Sequence, residues 1–206
     1  MRKTRRAKLH VRKTYKNSPR KQSSFLQIFN GLDIESEEDY KEVSEAGIHK
    51  LGKLFTKYLP LQNIPVQNRT FYDLGCGIGK LIVGMALIHP QLRSIGIEIL
   101  DERAQQAGIA LGRVSKHVQN RCGIMRGSVE NSNFSYGNAC WIFVSNFFFS
   151  EEINTLVAQK LSQELPTGCV IQSIRPLENN RLVLKEISRV SIAGEGDAQL
   201  HVYVKE

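Results

Sequence analysis

The sequence predicts an α/β fold: a doubly wound, mostly parallel sheet that ends in an antiparallel hairpin, preceded by a disordered basic arm. Three observations predict it. From about residue 70, short apolar runs alternate with helical patterns. A glycine-rich turn, Asp73-Leu-Gly75-Cys-Gly77-Ile-Gly79-Lys80, joins the first run to a helix. The last two runs, 182–193 and 199–205, alternate in polarity and flank the turn-forming AGEGD. A chain of 206 residues, 41% of them apolar, suffices for one domain with a sizeable core.

Ile48, Leu51, Phe55 and Tyr58 recur at helical spacing, so a helix spans about 44–58 and stops before Pro60. The run 70–74 ends in glycines and reads as a buried strand. Residues 80–89 are apolar on most faces, as in a helix lying against a sheet. A second strand is expected over 94–99, and a helix over 101–118 with Asp101 as its N-cap. A short strand follows at 123–126. The continuous Trp141-Ile-Phe-Val144 run places a strand, buried on both faces, at 140–144. An acid-led helix over 151–165 ends at Pro166, before a strand at 169–173. A mostly parallel sheet with one antiparallel last strand is the class I methyltransferase arrangement.

Charge divides the chain. Arg2, Lys3, Arg5, Arg6, Lys8, Arg12, Lys13, Lys16, Arg20 and Lys21 lie within residues 1–22, which hold no acid. That leaves 18 basic and 20 acidic residues for 23–206, so the net charge of +8 belongs to the arm. A wholly basic nucleic-acid-coating protein is excluded. The expected division is an arm over 1–24 and a catalytic domain over 25–206. Seven acids crowd residues 33–45. Apolar runs fall far short of the ~18–20 residues of a membrane span, and the basic N-terminus lacks the apolar stretch of a secretory signal. Cys76, Cys122, Cys140 and Cys169 form no CxxC pair and the five histidines no cluster, so neither a metal site nor a disulfide framework is expected. An intracellular location follows: the nucleus for a eukaryotic or viral source, the cytoplasm otherwise.

The glycine turn carries the chemistry. Ligands of such sheets bind at the carboxyl ends of the strands. The turn's glycines admit a ligand close to the backbone, and a helix N-terminus donates free N–H groups. Dinucleotide folds use G-x-G-x-x-G; here the third glycine comes one residue early. Asp73 suits an ammonium and would repel a pyrophosphate. Glu98 ends the second strand, 19 residues after Gly79, where a carboxylate accepts both hydroxyls of a ribose. S-adenosylmethionine carries both an α-ammonium and a ribose, and it is the expected cofactor.

Four pieces resemble the disruptor-of-telomeric-silencing (DOT-one-like) family of non-SET histone lysine methyltransferases. They are Tyr40-Lys-Glu-Val43, similar to that family's Y-G-E loop; Phe71-Tyr-Asp-Leu-Gly-Cys-Gly-Ile-Gly79; Gly96-Ile-Glu98; and Ile142-Phe-Val-Ser-Asn-Phe-Phe-Phe149, similar to its V-N-N-F-A-F. The likeness covers about 38–178. It implies cofactor contacts from Tyr40, Glu42, Val43, Asp73, Gly75, Cys76, Gly77, Gly79, Lys80, Glu98, Ser128 and Val129. Lys41 stands where the family has glycine. Gly127-Ser128-Val129 stands where it has G-D-F, so Ser128 or Glu130 replaces its adenine-binding Asp. The family's long N-terminal helical lobe has no counterpart.

The resemblance implies methyl transfer to a lysine, on a core histone such as H3 within a nucleosome. Transfer needs a neutral amine in line with the methyl and a dry channel, and no metal. Asn146 is expected to offer a carbonyl to the target nitrogen, with Phe147, Phe148 and Phe149 as walls; Tyr40 completes the catalytic set. The alternative is a nucleic-acid amino-methyltransferase, in which the Asn orients a flipped base; the prolines that fix that family's turn are absent after Asn146. A non-catalytic binding module is the third class, against which the full cofactor constellation argues. The arm's ten charges suit DNA phosphates, and the acidic run suits a basic protein surface or the arm itself.

Overall fold

The computed structural model describes residues 24–32 and 41–206. The ten arm bases, Tyr40 and most of the acidic run lie outside the described residues. Seven strands form one sheet: β1 (Thr70–Leu74), β2 (Arg93–Glu98), β3 (Cys122–Arg126), β4 (Ala139–Val144), β5 (Val170–Ser173), β6 (Leu182–Ile192) and β7 (Gly196–Lys205). The helices are α1 (Ser24–Gln27), α2 (Glu45–Tyr58), α3 (Lys80–Ile88), α4 (Asp101–Gly112), α5 (Lys116–Gln119) and α6 (Glu151–Glu164). Local chemistry starts the long helices. Ser44 Oγ accepts the Gly47 amide at 3.1 Å to open α2, and Ser150 Oγ accepts that of Ile153 at 3.2 Å to open α6. Glu151 and Glu152 in the first turn of α6 complement its dipole.

The strand order is β3-β2-β1-β4-β5-β7-β6. The first five strands are parallel, and β7 runs antiparallel to both β5 and β6. The chain winds outward from β1 through β3, then returns to lay β4 on the other side of β1. The carboxyl ends of β1 and β4 therefore adjoin at the switch point, where a ligand finds a crevice. Each face of the sheet carries its own core. On one, Phe55 of α2 stacks on Trp141 with ring centroids 5.1 Å apart and meets Phe71 edge-on at 5.7 Å. On the other, Val157, Ala158 and Leu161 of α6 cover Leu74, Ile142 and Val144. Phe55 is wholly buried, so Phe55→Ala is expected to cost about 3–5 kcal/mol in chemical denaturation; a cost below about 1 kcal/mol would show that this face collapses around the lost ring.

Three expectations are corrected. The helix over 101–118 is two: α4 stops at Gly112, and α5 restarts after Ser115. At the break Arg113 donates to the carbonyls of Ile28 and Asn30, both at 2.8 Å, which pins the residues after α1 onto the domain. Asp101 is not the N-cap of α4. Leu100 holds that position and its amide donates to Glu98 Oε1 at 3.0 Å, while Asp101 accepts from Arg126 Nε at 2.8 Å. The hairpin turn shrinks to residues 193–195, because β7 pairs from Gly196 onward. Helix α1 is an addition: it falls at the expected arm boundary, and its Phe25 meets the buried Phe29 edge-on at 5.5 Å. Among the described residues no helix is long and apolar enough to cross a membrane.

Candidate active site

The glycine turn leaves β1 and is laid across the end of β2. The Gly75 and Cys76 amides donate to the Ile97 carbonyl at 2.9 and 3.0 Å, and the Gly77 amide donates to Glu98 Oε2 at 2.8 Å. Gly75, Gly77 and Gly79 take φ of 84°, 53° and 83°, a left-handed path that favours glycine at each turn. The fourth glycine, Gly96, is needed for space: a Cβ there would lie 2.0 Å from Ile82 Cδ1 and 2.5 Å from Cys76 Sγ. Cys76 thus fills the gap between turn and strand. Burial first, then the charges of Asp73 and Glu98, push its thiol well above the ordinary range, so it is a neutral packing group.

Two adjoining cavities occupy the switch point. The narrower is lined by Lys41, Glu42, Val43, Asp73, Gly75, Cys76, Gly77, Lys80, Leu81, Phe143 and Ser145. Asp73 is 2% exposed and its Oδ1 has no hydrogen-bond partner. Burial, reinforced by Glu98, pushes its carboxyl well above the usual carboxylate range. A buried acid without a partner is costly unless a cation arrives to meet it. The second cavity, of about 190 Å³, is lined by Lys41, Gly75, Gly77, Glu98, Ile99, Leu100, Arg103, Ser145, Phe147, Phe148 and Phe149. Here Glu98 is held rigidly by the Gly77 and Leu100 amides, one on each oxygen. Each oxygen keeps a lone-pair direction for a hydroxyl. The orphaned Asp73 oxygen and the clamped Glu98 fit S-adenosylmethionine, with its α-ammonium toward Asp73 and its ribose toward Glu98.

Residues 41–44 wall this crevice from the hairpin side. Val43 bridges Ile192, the Ser44 amide donates to the Ser191 carbonyl at 2.9 Å, and the Ala193 amide donates to the Glu42 carbonyl at 2.8 Å. The Glu42 carboxylate pairs with Lys80, whose ammonium also lies 5.7 Å from the Phe29 ring centroid.

The other expected residues divide. Gly79 is the N-cap of α3 and backs onto α4, where a Cβ would lie 3.3 Å from Ala107 Cβ. Val129 is buried in the core of the α6 face, and Ser128 turns to Glu130; neither lines the two cavities. Phe147 packs toward one core and Phe149 toward the other, with Phe148 exposed between them. Asn146 is wholly buried. Its Oδ1 accepts the Ile174 and Arg175 amides at 3.1 and 2.8 Å. Its Nδ2 donates to Asn154 Oδ1 at 2.6 Å and to the Arg175 carbonyl at 3.1 Å. The carbonyl expected to meet the target nitrogen is therefore spent on the residues that follow β5, while Nδ2 ties the end of β4 to α6.

Ser145, Leu81, Phe143, Ile99, Leu100 and Arg103 line the cavities without having been expected. Their signal is positional: Ser145 directly follows β4 opposite the glycine turn, and Ile99 and Leu100 are apolar yet exposed immediately after Glu98. Among the described residues no three of His, Cys, Asp and Glu converge to hold a metal.

Residues 38–202 match the family described as "Histone methylation protein DOT1". A curated relative, a protein-lysine N-methyltransferase of Saccharolobus islandicus (strain REY15A), is 31% identical over 108 residues; the match spans 52% of this chain and 62% of that protein. Among solved structures, an RNA methyltransferase from Salinibacter ruber in complex with S-adenosyl-L-homocysteine superposes with a TM-score of 0.53 at 18% identity, over 74% of this chain and 90% of that one. A geranyl diphosphate C-methyltransferase from Streptomyces coelicolor A3(2) gives 0.55 at 11% identity, over 77% and 76% of the two chains. These likenesses establish the class I methyltransferase fold.

Proposed function

Since the chain belongs to the histone methylation protein DOT1 family, we propose that it is an S-adenosylmethionine-dependent protein-lysine N-methyltransferase acting on a core histone, H3-like, in nucleosomes. One observation carries the acceptor class: the aromatic mouth beside the cofactor crevice already seats an ammonium. Lys41 Nζ lies 5.6 and 5.9 Å from the ring centroids of Phe147 and Phe148. A ring face attracts a cation and tolerates added methyl groups.

The cofactor supplies an electrophilic methyl group on a positively charged sulfur. Asp73 binds its ammonium and Glu98 its ribose hydroxyls, which fixes the cofactor at both ends. Phe147, Phe148 and Phe149 keep water from the approaching amine. Desolvation there lowers the amine's pKa and favours the neutral nucleophile. Asn146 acts one step back, by holding the β4 end that carries these rings. Tyr40 closes over the cofactor, and the arm, Arg2 to Lys21, anchors nucleosomal DNA.

Labelled S-adenosylmethionine, offered with nucleosomes, free histones, ribosomes and naked RNA, tests the reading. Label is expected on histone lysine, most of it in nucleosomes. If six to eight arm charges meet phosphates, the log–log salt slope of binding is roughly −5 to −7, and deleting residues 1–22 flattens it and raises KM. Label recovered only in nucleic acid would replace lysine with a base amine as the acceptor.

A further inference from the structure

The residues common to both cavities are Lys41, Gly75, Gly77 and Ser145. They mark the junction between the Asp73 end and the Glu98 end of the crevice. A cofactor whose ammonium meets Asp73 and whose ribose meets Glu98 must carry its sulfur across this junction, since the sulfur joins those two parts. Gly75 and Gly77 have no side chain to present there, and Ser145 has a short one. Lys41 alone of the four brings a nucleophile on a long, flexible stem. Its ammonium, beside Phe147 and Phe148, is held by Glu195 Oε2 at 2.7 Å. Lys41 and Glu195 are both partly open to solvent, so the pair is weak and easily exchanged.

We propose that Lys41 is a methylation site of this protein, modified by its own active site. This rests on the cofactor and lysine reading above. Lys41 lies at the place where an external lysine would arrive, with the same aromatic neighbours. The step is the ordinary one. Lys41 Nζ first gives a proton to water. Its lone pair forms the N–C bond to the methyl carbon as the C–S bond breaks. The bonding pair stays on sulfur, leaving S-adenosylhomocysteine and a methylated ammonium. Methylation keeps the charge, so the ion pair with Glu195 survives while the ammonium becomes bulkier in the mouth. No second molecule is needed, so the reaction is first order in enzyme.

The test incubates the full-length protein with labelled S-adenosylmethionine alone, over a wide range of protein concentration, and maps methylated peptides by mass spectrometry. Parallel reactions contain core histones or naked RNA. A methyl group is expected on Lys41, in a fraction that at a fixed time does not depend on protein concentration. Lys41→Arg keeps a cation at the mouth but offers no nucleophile, and is expected to remove that mark. Labelled histone with unmodified Lys41 would overturn the inference and leave the lysine reading standing. A Lys41 mark whose fraction rises with protein concentration would also overturn it, because the acceptor would then be a second molecule. Label in nucleic acid with no lysine modified anywhere would overturn both.

Discussion

Asp73→Asn is expected to weaken cofactor binding roughly ten- to hundredfold while making the ligand-free protein more stable. The two effects share one cause. Asp73 is buried, its Oδ1 lacks a partner, and burial with the neighbouring Glu98 raises its pKa well above the ordinary value. An acid whose pKa is raised by folding holds its proton more tightly in the folded state. Its contribution to stability is fully present below the unfolded-state pKa and is lost as pH rises through the folded value. At neutral pH the wild type therefore carries a cost that asparagine removes. Melting curves should separate progressively above about pH 4, with Asp73→Asn the more stable. Losing the charge-paired contact to the cofactor's ammonium costs about 1.5–3 kcal/mol, roughly ten- to hundredfold in Kd. Calorimetry with S-adenosylmethionine reads this directly. Unchanged affinity would remove Asp73 from the cofactor site.

Asn146→Ala is expected to damage both fold and turnover. The side chain makes four hydrogen bonds. Alanine leaves the Arg175 amide and Asn154 Oδ1 short of a partner, while the Ile174 amide keeps only the Val144 carbonyl at 3.4 Å and the Arg175 carbonyl keeps Ser173 Oγ at 2.8 Å. Each orphan costs about 1–3 kcal/mol, not additively, so a loss of at least about 2 kcal/mol is expected in denaturant unfolding. The rings after β4 then lose their platform. A misplacement of about 1 Å is worth roughly a hundredfold in rate, whereas Asp73 and Glu98, the proposed cofactor contacts, lie on other strands and keep their places. Normal stability with turnover abolished would instead mean that Asn146 meets the substrate itself, as its sequence context first implied.

The contrast between these two residues shows where sequence reading succeeds. Asp73 and Glu98 each sit at a fixed offset from a glycine turn, and local geometry alone aims them at the same crevice. The alternation of strands and helices, the Trp141 run and the closing hairpin were legible for the same reason, since period and turn chemistry are local. Asn146 was placed correctly just past β4, but its partners come from α6 and from the residues after β5, eight to 29 residues on. No spacing rule reveals that its carbonyl is already taken. Val129 has the same history: the family resemblance implied a cofactor contact, while Tyr136 Oη donates to its carbonyl at 2.7 Å and holds it in the core. The division of 101–118 into two helices depended on Arg113 reaching carbonyls more than 80 residues earlier. Lys41 registered in the sequence only as a substitution for glycine; that it lies against two phenylalanines needed the hairpin to bring it there.

The attachment of residues 41–44 sets what opening the crevice requires. This flap is fastened to β6, the outermost strand, and to the turn beyond it, by one bridge, two flanking backbone hydrogen bonds and the Lys41–Glu195 pair. Lys80 adds a latch from the opposite rim. None of these fasteners belongs to the ladder of β1 through β5. The crevice can therefore be unroofed without unzipping any parallel strand, at a free energy set by these ties and by withdrawing Val43 from the core it shares with Ile192. Opening the crevice thus draws on the rim of the molecule and on the seat of Val43 in the core, and leaves every strand pair of the sheet in place.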